Sequence, residues 1–487
     1  CLIYKNTIKL TSDVLLKNHQ GVKIKMKKNY DVIIIGAGPA GIFTALELTK
    51  KGNFSILIVE KGKKIEQRDC PMRSSGGGCH HCIPCSILSG WGGAGAFSDG
   101  KLNLSTEIGG QLDNYIGKKE VTKLIKYTDN IYLEFGADKN VYGTEKEEIE
   151  TFKRKASFVG LKLIPTIIRH LGTEKSVAIL QKMQDHLSEK IDIQTNTEVE
   201  KILVDDEKVV GIKTLKGEII KGKYIIAAPG RVGSEWLKKQ ANELKIKIYN
   251  NPVDVGVRVE VPAITMKHLT DVIYESKLIY YTKLFDDKVR TFCMCPYGEV
   301  TTEFNDNITY VNGHSYQEHR TDNTNFALLV STNFTEPFKQ PIAYGKYIAN
   351  LANILSGGVI IQRLGDLESG RRSTNDRIDH SIVTPTLKGA VPGDLSFVLP
   401  YRILTDIIEM LKTMDKIAPG VYSKHTLIYG AEVKFYSSRL KLTDCLETRI
   451  NNLFAIGDGA GISRGLIQAS ASGIMVADEI LKRRNTK

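Results

Sequence analysis

A chain of 487 residues, 42% hydrophobic and 25% charged, has room for two or three domains and the composition to bury a sizeable core. No apolar run approaches the ~20 residues of a membrane-crossing helix, so no membrane span is expected. Half of the net charge of +12 sits in residues 1–28, which hold seven Lys and one Asp, and the rest is scattered as on a solvated surface. With no basic block interleaved with aromatic residues, nucleic acid is not an expected partner.

In chain order, the sequence begins with Cys1, and Met26 stands just ahead of the first apolar run. Residues 1–28 have neither a signal-peptide core nor an Arg- and Ser-rich transit composition, and read as a disordered or artefactual extension. A cytoplasmic location is expected on that basis. The stretch that organises the chain follows, with the apolar run 32–35 as a buried strand leading into Gly36, Gly38, Pro39, Ala40 and Gly41. Gly36 suits a tight turn, Gly38 lets a pyrophosphate approach the backbone, and Gly41 lets the next helix pack on the sheet. That helix would aim its free N–H groups at the phosphates. A second apolar run ends in Glu60, 19 residues after Gly41, where a carboxylate grips a ribose hydroxyl. The combination reads as a dinucleotide site.

Lys61 then leads into a loop, residues 70–100, rich in cysteine and glycine. Its second half carries Trp91, Gly93, Ala94, Gly95 and Phe97, and is read as backbone lying against the cofactor. Residues 121–135 and 176–187 repeat apolar positions at helical spacing, so 111–189 reads as a helical insertion. A strand at 191–199, a segment 200–204, a hairpin of 208–214 with 218–220, and a separate buried strand at 224–228 bring the chain back to the first sheet. Five alternating runs, 256–261, 278–284, 289–295, 299–304 and 326–331, predict a mainly antiparallel second domain. Helices are expected at 347–355, 402–414 and 467–481, the last following a buried strand at 453–456 that ends in Gly457 and Asp458.

A first βαβ unit, a mid-chain return strand and a C-terminal Gly-Asp before a small-residue helix resemble the FAD-binding fold of the glutathione reductase type. The stretches 89–101, 291–296, 372–374, 393–396, 429–436 and 457–473 together resemble the bacterial and archaeal FAD-dependent, or NAD(FAD)-utilising, dehydrogenases. The resemblance covers nearly everything from residue 29 on. It implies an α/β chain with a Rossmann-like FAD-binding domain (29–110, 190–235 and 441–487) around a central parallel sheet, and an inserted α+β substrate domain (236–440). It implies FAD and a redox reaction, and it does not imply a substrate. It places cofactor contacts at Gly36 to Gly41, Glu60, Lys61, Gly93 to Gly95, Val199, Ala228, Gly230, Gly457, Asp458, Gly461 and Gly465, with Asp458 on a ribityl hydroxyl. No second glycine fingerprint lies between residues 100 and 450. Electrons would therefore come from a transiently docked NAD(P)H, an electron-transfer protein, or the substrate itself.

Four of the eight cysteines, Cys70, Cys79, Cys82 and Cys85, fall within 16 residues. Their spacing leaves three readings open: ligands of an iron–sulfur cluster or zinc, a redox dithiol at Cys82 and Cys85, or inert thiols. Cys293 and Cys295 share one face of a predicted strand, too far apart along it to bridge easily, and are assigned to packing. Arg372, Tyr429 and Lys434 are candidates for the catalytic face, with Arg371, His425 and Glu432 beside them. None of the ten His has a metal-binding or nucleophile-activating spacing. The function expected is FAD-dependent dehydrogenation or reduction. The alternatives are a thiol–disulfide or electron relay through the cysteine cluster, and a flavin-linked RNA-modification or regulatory protein.

Overall fold

The computed structural model describes residues 15–17, 23–25, 29–71, 82–98, 100–249, 251–305, 307–315, 320–332, 340–435 and 438–486. Within the stretch expected to be an extension, Leu15–Lys17 and Lys23–Lys25 pair antiparallel, each run satisfying the other's backbone groups.

The apolar runs 32–35 and 56–59 have no polar face, and the chain accordingly buries them on both sides of a parallel pair, Asn29–Ile35 with Ile56–Val59. Asp192–Gln194 extends this sheet on one side, parallel to Ile56–Val59. On the other side lies Ile219–Ala227, followed antiparallel by Lys208–Thr214 and then Val199–Asp205. The hairpin arm at 218–220 and the strand expected at 224–228 are one continuous strand. Its first half pairs antiparallel with Lys208–Thr214, and its second half pairs parallel with Asn29–Ile35 and Leu453–Ala455. Lys221 and Lys223 are exposed, while Ile220, Gly222 and Tyr224 to Ala227 are buried. The polar positions that look like a break in the sequence are therefore outward-facing steps of an alternating strand.

Helix Pro39–Lys51 covers the sheet and packs on the final helix, Leu466–Asn485. A Cβ on Gly473 would lie 2.2 Å from the Ala40 carbonyl oxygen and 2.8 Å from Thr44 Oγ1, so only glycine allows this approach. Segment 111–189 is not purely helical. It forms helices Asp113–Glu134, Lys146–Phe158 and Gly172–Ser188, but Lys162–Ile164 is the edge strand of the second sheet and Ile168–His170 pairs with Lys101–Asn103. Two three-residue strands between helices carry too short a period to register in the sequence.

The second sheet has eight strands, ordered Val391–Pro392, Ile360–Arg363, Leu427–Lys434, Val253–Pro262, Asn323–Thr332, Lys288–Cys295, Lys277–Tyr281 and Lys162–Ile164. All its pairings are antiparallel except the first. Glu299–Asn305 and Ile308–His314 make a separate hairpin. Pro341–Ser356 and Tyr401–Met414 are the helices expected there. No helix among the described residues is long and apolar enough to cross a membrane.

Candidate functional site

Gly36 leaves the first strand at φ +104°, and a Cβ there would sit 2.2 Å from the Ala228 carbonyl oxygen. Glycine is required on both counts. Gly41 packs its helix against the strand, with an added Cβ only 2.1 Å from the Gly36 carbonyl oxygen. Gly38 is different: a Cβ there meets nothing within 4 Å. It caps the helix N-terminus with no side-chain hydrogen bond, and Pro39 follows in the first turn. The result is a cradle of backbone N–H groups open at Gly38, suited to an anionic group.

Glu60 is buried and its carboxylate joins three loops. Oε2 accepts from Ala37 N (2.8 Å), and Oε1 accepts from Gly62 N (2.8 Å) and Gly90 N (2.9 Å). A carboxylate offers roughly four acceptor sites, so a hydroxyl can still be taken. Lys61, beside it, is half-buried. The approach to Val199 runs past the same point, with Asn196 N donating to Gly62 O (2.8 Å) and Thr197 N to Glu60 O (2.9 Å).

The glycine-rich loop packs against the first turn and the final helix. Gly92 N donates to Ala37 O (2.7 Å), a Cβ on Gly93 would be 3.2 Å from Gly38 Cα, and one on Gly95 would be 2.5 Å from Leu466 Cδ2. Gly93, Ala94 and Gly95 form a short half-buried turn against both helix N-termini. Trp91 is fully buried and donates from Nε1 to Leu180 O (2.9 Å). The sequence reading missed Arg68, which organises this loop. Its guanidinium donates to the carbonyls of Ser86 (2.8 Å), Ile87 (2.8 Å), Trp91 (2.6 Å) and Gly93 (2.8 Å). Burial pulls it down to about 10, against the charge of Glu60.

The C-terminal part closes the site. Gly230 and Gly459 touch backbone to backbone, since a Cβ on Gly459 would be 2.6 Å from Gly230 O. Gly457 and Gly461 flank Asp458 at φ +73° and +74°. Asp458 Oδ1 accepts from Ser463 Oγ (2.6 Å), and Oδ2 lies 3.6 Å from Arg231 Nε. Gly465 caps the final helix without a side-chain hydrogen bond, so a second helix N-terminus is left for a ligand. Gln468, also missed, pins the loop before residue 113 to this turn by donating to Ile108 O (3.1 Å). The predicted cofactor positions belong to the first sheet, its connecting turns, the glycine-rich loop and the two helix N-termini.

Residues 31–79 match the family described as "FAD binding domain", and residues 252–435 match "FAD-dependent protein, C-terminal domain-like". The chain is an FAD-dependent flavoprotein. A flavin carries hydride and electron chemistry, so the protein's enzyme class is flavin oxidoreductase. An uncharacterized protein of Clostridium beijerinckii is 26% identical to this flavoprotein over 93% of the chain and 80% of its own length. A tRNA uridine 5-carboxymethylaminomethyl modification enzyme of Fusobacterium nucleatum is 25% identical over 54% of the chain and 38% of its own. Among solved structures, L-proline dehydrogenase from P. horikoshii aligns over 94% of the flavoprotein and 95% of its own chain, at 14% identity and a TM-score of 0.42. Glycine oxidase from Geobacillus kaustophilus aligns over 93% and 95%, at 13% and 0.39.

The candidate catalytic residues are not brought together. Arg372 is exposed, its carbonyl accepting from Arg377 Nη1 (2.8 Å), and Arg371 pairs with Asp366 (2.9 Å). His425 is half-buried on a different loop. Tyr429 is fully buried on the second sheet and donates to Glu260 Oε2 (2.5 Å). Glu260 also accepts from Thr386 Oγ1 (2.6 Å) and Asn323 Nδ2 (3.0 Å), and burial raises its pKa. Lys434 is buried against Glu432 (3.1 Å). Glu432 in turn faces Arg258, with both side chains wholly buried and Nη1 to Oε1 at 3.4 Å. Burial would lower the Arg258 pKa, but Glu432 and the nearby sulfurs of Cys293 and Cys295 more than reverse this. These residues face one another because strand 253–262 is covered on both sides, so a polar alternation that signals a solvent face in the sequence points inward here.

Among the described residues no group of three or more His, Cys, Asp or Glu is placed to hold a metal. Cys82 is exposed, Cys70 and Cys85 are half-buried, and Cys79 lies outside the described residues. The Arg68 fork ties residues 86–93 together. A surface depression of about 370 Å³ lined by Tyr280, Lys283, Glu409 and Lys416 belongs to the second core and shares no residue with the cofactor site.

Proposed function

We propose that this flavoprotein is a dehydrogenase or reductase of a small organic substrate, working by hydride or electron transfer through FAD. The observation that carries the reading is the convergence of two helix N-termini without side-chain caps, at Gly38 and Gly465, on the loop at Gly93 to Gly95. The turn 36–41 would hold the pyrophosphate, Glu60 the adenosine ribose, and Asp458 with the final helix the flavin end. When bound, the flavin supplies two-electron chemistry, and its reduced anionic form is favoured by a helix N-terminus by up to ~2 kcal/mol. The chain's own part is to fix the loops through Glu60 and Arg68 and to close the flavin end through Gln468. In this reading residues 29–110, 190–235 and 441–487 make the FAD-binding domain and 236–440 the substrate domain. The location is cytoplasmic, and NAD(P)H or an electron-transfer protein supplies the electrons.

The test is flavin content and reduction. The purified protein should release FAD on acid treatment, and Gly38→Val, which has room for its side chain, should keep the fold and lose the colour. A wild type that takes up no FAD on reconstitution overturns the reading. Stopped-flow mixing with NADH, NADPH, a dithiol and reduced ferredoxin then identifies the donor. Flavin-linked RNA modification remains the second reading, favoured by the partial similarity to the tRNA-modifying enzyme. Anisotropy titration with bulk tRNA that detects no binding removes it.

A further inference from the structure

Cys293 and Cys295 do not sit as residues of a regular strand. The pairing of Lys288–Cys295 with its neighbour slips between Phe292 and Cys295: Phe292 faces Ala327, and Cys295 faces Asn325. One extra residue is therefore looped into the strand. Cys293 takes φ +45°, a left-handed conformation that is unfavourable for a non-glycine residue and persists only where the surroundings enforce it. The consequence is that the two sulfurs, which an extended strand would hold apart, approach to 3.9 Å. The separation expected for them from regular strand geometry is corrected by this bulge.

Two cations face the pair. Arg258 Nη2 lies 3.6 Å from Cys295 Sγ and donates to Cys293 O (3.0 Å). Lys101 Nζ lies 4.0 Å from the same sulfur and donates to Met294 O (2.7 Å), between the two cysteines. A sulfur beside positive charge favours the thiolate, the form that attacks disulfides. Cys295 is fully buried and Cys293 half-buried, so one thiol is accessible and the other held behind it. Lys101 directly follows the glycine-rich loop, which places the pair at the seam between the second sheet and the cofactor loops.

We propose that Cys293 and Cys295 form a redox-active dithiol–disulfide couple that exchanges with low-molecular-weight disulfides. The Cys293 thiolate attacks a disulfide R–S–S–R, forming Cys293–S–S–R and releasing RS⁻. The Cys295 thiolate, stabilised by Arg258 and Lys101, then attacks the Cys293 sulfur, closing the intramolecular disulfide and releasing the second RS⁻. The two thiol protons end on the two released thiolates. Overall the dithiol loses two electrons and R–S–S–R gains them. Closure needs rotation of the two side chains to bring the sulfurs from 3.9 Å to the ~2.05 Å of a bond.

The test uses the full-length holoprotein in buffers of graded reduced and oxidised glutathione, quenched with acid, alkylated and read by peptide mass. The peptide spanning residues 291–297 should pass from the doubly alkylated mass to the mass of the unalkylated peptide less two hydrogens as the buffer becomes oxidising. Cys295→Ser should instead trap one glutathione on Cys293, and Lys101→Met should slow closure severalfold without changing flavin content. The proposal is overturned if both thiols stay alkylatable in the most oxidising buffer, or if the bridge forms only after urea unfolding. A disulfide from either residue to another cysteine also overturns it.

Discussion

Around residues 36–41 the chain builds its site from backbone, with glycines clearing space and helix ends supplying donors, whereas around Arg258 it builds from charged side chains buried against one another. The first region invites a ligand because its donors at Gly38 and Gly465 have no side-chain cap. In the second, Arg258 and Lys434 both turn to Glu432, a partner within the same fold. The comparison teaches that a buried charge is not by itself a catalytic group. What matters is whether its partner is part of the same fold or is absent from it.

The largest effect should come from filling a backbone contact. Gly41→Val places carbon about 2.1 Å from the Gly36 carbonyl oxygen, and the variant should fail to give folded, coloured protein by circular dichroism and flavin absorbance. Recovery of a yellow, cooperatively folding variant would break the account of the turn. Next is the second region: Glu432→Ala leaves Arg258 buried without its counter-ion and should cost ~3–5 kcal/mol in urea unfolding. Arg258→Met combined with Glu432→Leu should recover only part of that loss, because Lys434, buried against Glu432, still loses its counter-ion.

Glu60→Gln sharpens the contrast from the other side. It replaces an acceptor of backbone N–H groups with an amide and should lower apoprotein stability by ~1.5–3 kcal/mol, in addition to weakening FAD binding. An apoprotein of unchanged stability would make Glu60 a ribose ligand alone. Asp458→Ala should leave the apoprotein intact and lower FAD affinity about tenfold by fluorescence titration. Unchanged affinity would reduce Asp458 to a turn residue.

The smallest effect is electrostatic and pH-dependent. Burial opposes ionisation of Glu447, but the Arg483 fork (2.8 and 2.7 Å) and the Asn452 N–H (2.7 Å) outweigh it and hold the carboxyl below its usual value. A depressed folded-state pKa contributes stability above the unfolded-state value, and this is lost as pH falls through the folded-state value. Glu447→Gln should therefore lower Tm at neutral pH and leave a shallower loss on acidification. An acid limb unchanged by the substitution would show that the pair to the final helix carries no linkage.

The sequence by itself determined the dinucleotide turn, the acid at Glu60, the Gly-Asp at 457–458 and the alternation of buried strands. Each rests on local chemistry: a positive φ, a close backbone approach or a run of apolar residues can be read from neighbours in the chain. Only the tertiary structure decided that Glu60 also clamps the loops at Gly62 and Gly90, that Arg68 ties residues 86–93 together, and that Tyr429 and Lys434 turn inward. It also decided that Cys293 and Cys295 meet. Those outcomes depend on what lies across from a residue. Strand alternation assigns a face to Arg258 or Glu260, but not whether that face meets water or another layer. A one-residue bulge, enforced by pairing with a strand some thirty residues later in the chain, is what brings two sulfurs together where regular strand geometry would hold them apart.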